Sequence, residues 1–576
     1  MKIYFALLFS VLSAGAGAVD LLPPPAAWHG ASEQLIAPAG SRWITPAEQS
    51  GFAESPDYAA TLQYLRSLAA ASDKISMHSF GTSYQGRDLV YARAAKQGAT
   101  GKPVVLVQAG IHAGEIDGKD AGLMLLRDIA FGGRDDLLDH VDLVFIPILN
   151  VDAHENASEL GRPVQRGPLR KGSRTNGQGL DLNRDYARLQ SPEITAVVKL
   201  LQRFDPALYI DVHVSDGADY QYDTTYTFAG WGTYARSQAT AQWLMTTYHD
   251  DVSATLTRQG HLPVIYPSWI DPDAPAQGLR ISAEGPRYST GYGDFIGVPT
   301  VLVENHVMKP YKRRVLGTYV LLEQSLKTVA REHARIAAAK AQDRAARPDT
   351  LMVRWEREMV PLRMTTFKGY RYDSYISPVS GATELRWTGV AQDQQLPVYG
   401  VRATREVVLP PAWWISAEHQ DLIAALRKHG IRMEPASEAR TLTLEATRMA
   451  SGKERSGAKL MQTVTLPAGS VRIPADQPAH LLAAALLEAE SDDGFLASGQ
   501  FDQALASEWR LPKHLLAPLA DQMMAADPTL RAEFQDALVK DATLAASRSA
   551  RLLWWEARSQ YAERALWTYP VYREPR

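Results

Sequence analysis

The sequence predicts an α/β fold: a mixed, largely parallel sheet flanked by helices, followed by a smaller α+β C-terminal region. Three observations lead there. Four apolar runs, at 103–109, 141–149, 207–214 and 295–305, are rich in Val, Leu and Ile, as strands covered on both faces are. Helical periodicity lies between the first two and again at about 192–204, and strand–helix–strand spacing of this kind implies parallel βαβ units. Beyond Pro348 the pattern changes to short alternating β-like segments and then to helical stretches.

Taken in order, residues 1–18 (MKIYFALLFSVLSAGAGA) place Lys2 before an apolar stretch and end in Ala16-Gly17-Ala18. This is the form of a signal peptide, with the mature chain starting near Val19, and the apolar run is too short to cross a bilayer. Export to a periplasm or the medium is expected, with no membrane span in the mature chain. A helix follows at 57–72, then a hairpin of Lys74 to Phe80 and Leu89 to Ala95 across a Gly-containing loop. After the strand at 103–109 come a helix from about Lys119 to Ala130 and the strand at 141–149. Residues 153–180 are polar, rich in Gly, Arg and Ser and without periodicity, a loop long enough to be functional. Pro192 opens the next helix at its first turn. Residues 215–290 read as Tyr-, Gly- and Pro-rich loops around a helix at Arg236 to His249, and 295–305 reads as a strand. A long amphipathic helix from Arg313 to about Ala346 ends before Pro348.

The 576 residues exceed one ordinary core. The expected division is a signal peptide at 1–18, a catalytic domain at 19–347, a β-rich accessory domain at 348–475 and a mostly helical region at 476–576. The Trp pairs 413–414 and 554–555 are assigned to packing. Lys plus Arg is 61 against 64 Asp plus Glu, a net charge of −3, which argues against a nucleic-acid or polybasic membrane partner. There is no Cys, so disulfides and thiolate metal sites are excluded. A metal must be held by His, Asp or Glu.

The chemistry concentrates at strand ends. The run at 103–109 breaks at Gly110 and presents His112 and Glu115, and the carboxyl edge of an open α/β sheet is where such folds build sites. Imidazole and carboxylate are both zinc donors, though HxxE alone more often caps a turn. The run at 207–214 supplies Asp211 and His213 at its end, and the run at 295–305 supplies Glu304. A carboxylate closing an apolar strand costs stability unless it is paired or positioned for chemistry.

With Asn150-Val151-Asp152, Asp181-Leu182-Asn183-Arg184-Asp185 and Asp211-Val212-His213, this ordered set resembles the zinc carboxypeptidase family of the carboxypeptidase A/B type, over roughly residues 55–345. GTSYQGRDL at 81–89 resembles that family's lead-in hairpin. The resemblance implies one Zn²⁺ held by His112, Glu115 and His213, with Glu304 as general base. It implies oxyanion stabilisation by Arg170 or Arg174, with Arg174 preferred. It implies capture of a substrate's terminal carboxylate by Asn183 and Arg184, and closure by Tyr288 or Tyr292, with Tyr288 preferred. Asp211 is the natural partner behind a ligand or a substrate-facing Arg. The sequence departs from the digestive members at Gly114, where they carry Arg, and in reading Asn-Arg-Asp-Tyr. Gly293 is taken as the pocket floor, which favours apolar or aromatic C-terminal side chains. The expected activity is an exported zinc metallocarboxypeptidase acting on peptides. The alternatives are a zinc amidase or endopeptidase of the same fold acting on cell-wall peptides or N-acyl amino acids, and a non-catalytic peptide-binding module.

Overall fold

The computed structural model describes residues 22–23, 25–98, 101–449, 455–502, 511–561 and 568–576. The expected signal peptide lies outside the described residues. Among the described residues no helix is long and apolar enough to cross a membrane.

Among the described residues nine strands precede the long helix: β1 (Ile75–Thr82), β2 (Asp88–Ala94), β3 (Val104–Ala109), β4 (Asp142–Ile146), β5 (Leu208–Val214), β6 (Thr224–Thr227), β7 (Pro263–Ile265), β8 (Leu279–Arg280) and β9 (Thr300–Asn305). All but β8 form one mixed sheet in the order β1-β2-β4-β3-β5-β9-β6-β7. The four apolar runs are its centre: β4, β3, β5 and β9 pair parallel, and antiparallel strands flank them on both sides. Their carboxyl ends therefore meet at one edge, where His213 and Glu304 are paired in register.

Alternation along the strands assigns the two faces. Val105, Val107, Ala109, Leu208, Ile210 and Val212 face one core with the helices Asp117–Phe131 and Tyr311–Ala345. Leu106, Val144, Ile146 and Tyr209 face the other, where the helix Pro192–Phe204 supplies Ile194, Val197 and Leu201. Ser191 caps that helix, its hydroxyl accepting from the Ile194 N–H, and Pro192 occupies the first turn. The same core contains Trp413, Leu422, Leu426, Leu482 and Leu486, so the C-terminal region closes over this side of the sheet. A parallel sheet requires cover on both faces. Part of that cover comes from beyond residue 348.

Two expectations are corrected. Phe295 ends a helix, Ser289–Phe295, and the strand starts only at Thr300. The stretch 215–290 holds β6, β7, β8 and a helical run from Gln238 to Arg258 that passes through a π-turn at Leu244–Tyr248. The apolar content of 295–298 is spent on core packing of Phe295 and Val298 at the helix end. Periodicity alone cannot separate that from a strand.

Beyond the long helix lie β10 (Thr350–Arg357), β11 (Arg363–Ile376), β12 (Thr383–Tyr399) and β13 (Val401–Val408). β10 pairs with β13, and β11 with β12 as a long hairpin, while Val398 and Tyr399 of β12 pair parallel with Leu279 and Arg280 of β8. A six-stranded sheet follows, in which the last strand, Val571–Arg573, pairs with both Ala412–Ile415 and Arg440–Met449. The stretches on either side of residue 475 thus share one sheet. Trp413 is fully buried, and Trp554 and Trp555 pack on Phe534.

Candidate active site

β3 ends at Ala109, and Gly110, at φ +69°, turns the chain so that the following backbone passes against Ile148 and Leu149 at the end of β4. This brings His112 and Glu115 to the strand edge, beside His213 from β5. All three are buried, and one donor atom from each lies within 4.8 Å of the others. His213 Nδ1 is 2.9 Å from Glu115 Oε2, and His112 Nδ1 is 3.2 Å from Glu115 Oε1. The opposite nitrogens point away from this group: His112 Nε2 is 3.0 Å from Asp181 Oδ1, and His213 Nε2 is 3.0 Å from Asp211 Oδ2. A carboxylate behind each ring favours the proton on Nε2 and leaves Nδ1 as the donor. His112 Nδ1 is buried with no hydrogen-bond partner despite its nearness to Glu115. Two imidazoles and a carboxylate converging on a shared point, one nitrogen orphaned, fit a divalent zinc-type ion.

The electrostatics agree. Burial disfavours a charge on His213, but Asp211 and Glu115 outweigh it and raise its pKa well above the imidazole range. Burial likewise opposes charge on His112, and Glu115 and Asp181 reverse it. Burial would raise Glu115, yet His112 and Arg162 hold it well below the usual carboxylate range. The negative charge gathered around the two rings is what a bound cation would neutralise.

Around this group is a cleft of about 390 Å³ whose walls include Arg174, Asn183, Arg184, Tyr288 and Glu304. Burial, with Glu115 adding to it and His213 opposing, pushes the Glu304 carboxyl up to about 7. Arg174 is half-exposed, with Nε 2.9 Å from Asp181 Oδ2. Asn183 accepts from the Ser289 N–H through Oδ1, tying the start of the Ser289–Phe295 helix to the 181–184 turn. The Arg184 guanidinium lies over the Tyr288 ring at 4.5 Å. Asp211, besides holding His213, accepts from Gln108 at 2.9 Å.

Three expected residues are elsewhere. Arg170 donates to the Ala157 carbonyl and does not line the cleft; Arg174 does. Tyr292 is buried in the core with its hydroxyl 3.1 Å from His429 Nδ1, so of the two expected tyrosines Tyr288 is the one that lines the cleft. Gly293 lies inside the Ser289–Phe295 helix, where a Cβ would meet Thr300 Oγ1 at 1.9 Å, and it is no pocket floor. The cleft instead carries Trp231, Tyr266, Arg280 and Glu284, none of them singled out from sequence. Asp181 was visible inside Asp181-Leu182-Asn183-Arg184, but not its contact with His112. At Gly114, an added Cβ would lie 2.5 Å from Arg162 Cδ and 2.7 Å from the Gly172 carbonyl. Arg162 fills this space, and its guanidinium reaches Glu115 at 2.8 Å.

A buried His–Glu–His group at the carboxyl edge of a mixed sheet, beside a cleft with arginines and a carboxylate, defines a metallopeptidase-type site. Residues 61–267 match the family model for zinc carboxypeptidases. The matched span contains all three donors, and Glu304 lies beyond it. No curated protein matches the chain. Among solved structures, the chain is similar to a metallo-carboxypeptidase from Pseudomonas aeruginosa at 19% identity, covering 48% of this chain and 68% of that one, TM-score 0.36. It is also similar to the carboxypeptidase A of Helicoverpa armigera at 18% identity, over 54% and 80% of the two chains, TM-score 0.37. A third is a metallo-carboxypeptidase from Burkholderia cenocepacia at 16% identity, over 47% and 68%, TM-score 0.35.

Proposed function

We propose that this protein is an exported zinc metallocarboxypeptidase that hydrolyses the C-terminal bond of peptides. The observation that carries the reading is the pair of Nδ1 atoms converging with Glu115 on one point, each ring backed by a carboxylate, within the cleft that holds Glu304, Arg174 and Arg184. Zinc held by His112, Glu115 and His213 would supply Lewis-acid polarisation of the scissile carbonyl and a lowered pKa for an attacking water.

The remaining work falls to the chain's own groups. Glu304 accepts the proton of the attacking water on its carboxylate and passes it to the leaving amine nitrogen, a task suited to a carboxyl group poised near neutrality. Arg174, oriented by Asp181, places a guanidinium where negative charge develops on the carbonyl oxygen. Arg184, held against Tyr288, and Asn183 present donors to the substrate's terminal carboxylate, which the planar guanidinium pairs in fork geometry. Asp211 and Asp181 hold the rings. The leader at 1–18 supports export.

The test compares peptides with free and amidated C-termini on the metal-loaded protein. Release of the C-terminal residue from free-acid peptides alone is expected. Equal cleavage of amidated peptides would overturn the exopeptidase assignment in favour of an amidase or endopeptidase. Glu304→Gln should lower kcat by about 10²-fold or more with zinc content retained, since general acid–base groups contribute roughly 10²–10⁴-fold.

A further inference from the structure

The segment 279–289 brings Tyr288 to the cleft, and it lies beyond the span that matches the family model. Its path is held from the C-terminal region. Leu279 and Arg280 pair with β12, the Ile281 N–H donates to the Tyr399 carbonyl at 2.7 Å, and Trp355 Nε1 donates to Ser282 Oγ at 2.9 Å. Further on, the segment meets the turn that follows the buried helix His480–Leu487. There Arg287 donates from Nε to Asp493 Oδ1 at 2.6 Å and from Nη2 to the Asp492 carbonyl at 3.2 Å. The other oxygen of the same carboxylate lies against Gly285, where an added Cβ would stand 1.8 Å from Asp493 Oδ2. Asp493 is fixed in its turn: its side chain is only 7% exposed, and its N–H donates to Ser491 Oγ.

What this grip serves begins one residue later. The Tyr288 ring has the Arg287 guanidinium over it at 6.0 Å and the Arg184 guanidinium at 4.5 Å. The next N–H, that of Ser289, donates to Asn183 Oδ1 at 2.9 Å. A shift at Arg287 therefore moves both the ring that Arg184 rests on and the donor that orients Asn183.

We infer that Asp493 is a positioning residue of the substrate site: by clamping Arg287 it fixes Tyr288, and through Tyr288 and Ser289 it fixes the Arg184–Asn183 pair that takes the terminal carboxylate. The inference deepens the carboxypeptidase reading and rests on it. A planar guanidinium held at two acceptors keeps little freedom to turn, and a carboxylate shielded from water is little screened by salt. Holding the recognition groups in place before substrate arrives removes an ordering cost from binding. The metal donors, Arg174 and Glu304 stand on other segments, so the clamp bears on binding and not on the chemical step. Among the described residues the cleft walls come from 112–304, and the C-terminal region acts on them from behind.

The experiment measures kcat and KM of the full-length zinc-loaded protein on a free-acid peptide, for wild type, Asp493→Ala and Arg287→Met. The two variants break the contact from opposite sides, so misfolding of one leaves the other. KM is expected to rise about 10-fold in each, near the lower end of what a hydrogen bond between charged groups is worth, with kcat within about threefold of wild type. A KM within about twofold of wild type, or a fall in kcat at unchanged KM, overturns the inference. Calorimetric titration with N-acetyl-L-leucine and its amide needs no turnover. Wild type should bind the acid more tightly than the amide, and Asp493→Ala should lose most of that difference. This result supports the clamp even if no peptide is cleaved, in which case only the carboxypeptidase reading falls. Equal binding of acid and amide by wild type, or a difference that survives in the variant, overturns the clamp. Should both variants fail to fold, amide exchange in wild type decides: 287–289 should exchange far more slowly than the exposed turn at 377–381, and equal rates overturn the inference.

Discussion

Each donor histidine is held from behind by a carboxylate, and Asp181 is the more exposed of the two that do so. It serves two partners, His112 Nε2 and Arg174 Nε, so its loss should be felt at both the metal group and the oxyanion end. Asp181→Asn keeps the shape but removes the charge that fixes the His112 tautomer. Zinc affinity should fall about 10–100-fold, as is usual when a ligand's outer partner is removed. Competition against a chromogenic chelator reads this directly, and an affinity within twofold of wild type would show that Asp181 is not the residue orienting His112.

At the scale of elements, the turn after β3 is where sequence and packing meet most tightly. Between the two ligands Gly114 passes under Arg162 and the Gly172 carbonyl, and its own carbonyl accepts from Gln165 Nε2 at 2.8 Å. Arg162 could swing aside, but the Gly172 carbonyl is backbone. Gly114→Ala should therefore displace the turn, costing about 1–3 kcal/mol in urea denaturation, the range for overpacking a filled site, and weakening zinc binding with it. Unchanged stability would mean that the 153–180 loop yields freely. The central elements were legible because their signals are local: Val-rich strands, the Ser191–Pro192 helix start, and donors at or within six residues of strand ends. A shared carboxyl edge then brings His112 and His213 together despite their distance along the chain. Phe295 was misread because an apolar run fits a helix end as well as a strand. Glu284 and Trp231 were not legible at all. Their positions depend on the β8–β12 pairing and on the turn at 229–232, neither of which leaves a periodic trace.

For the whole molecule, the consequence of the C-terminal region covering one face of the sheet is a buried polar seam. His429 ends the helix Gln420–Lys428 and lies between the two layers, with Nδ1 3.1 Å from the Tyr292 hydroxyl and Nε2 3.2 Å from the Ala187 carbonyl. A carbonyl can only accept, so Nε2 carries the proton and the ring is neutral, with Tyr292 donating to Nδ1. Burial lowers the pKa of this ring to about 4, below the ordinary value near 6.5. The sign follows from proton counts: between pH 6.5 and 4 the unfolded chain binds a proton at this site that the folded chain does not. Stability contributed here is intact above pH 6.5, falls as the pH drops through that window, and levels off below 4. From pH 7 to 5 the loss attributable to His429 is about 2 kcal/mol. Other buried histidines, His154 among them, act in the same direction. The informative quantity is therefore the difference between wild type and His429→Gln, which keeps an amide donor for Ala187 but does not titrate. Urea denaturation at pH 7 and 5 should show a smaller pH-dependent loss in the variant by about that amount. An identical loss in both proteins would mean that acid reaches the seam elsewhere, and that the contact of the C-terminal layer with Tyr292 is not what acid loosens.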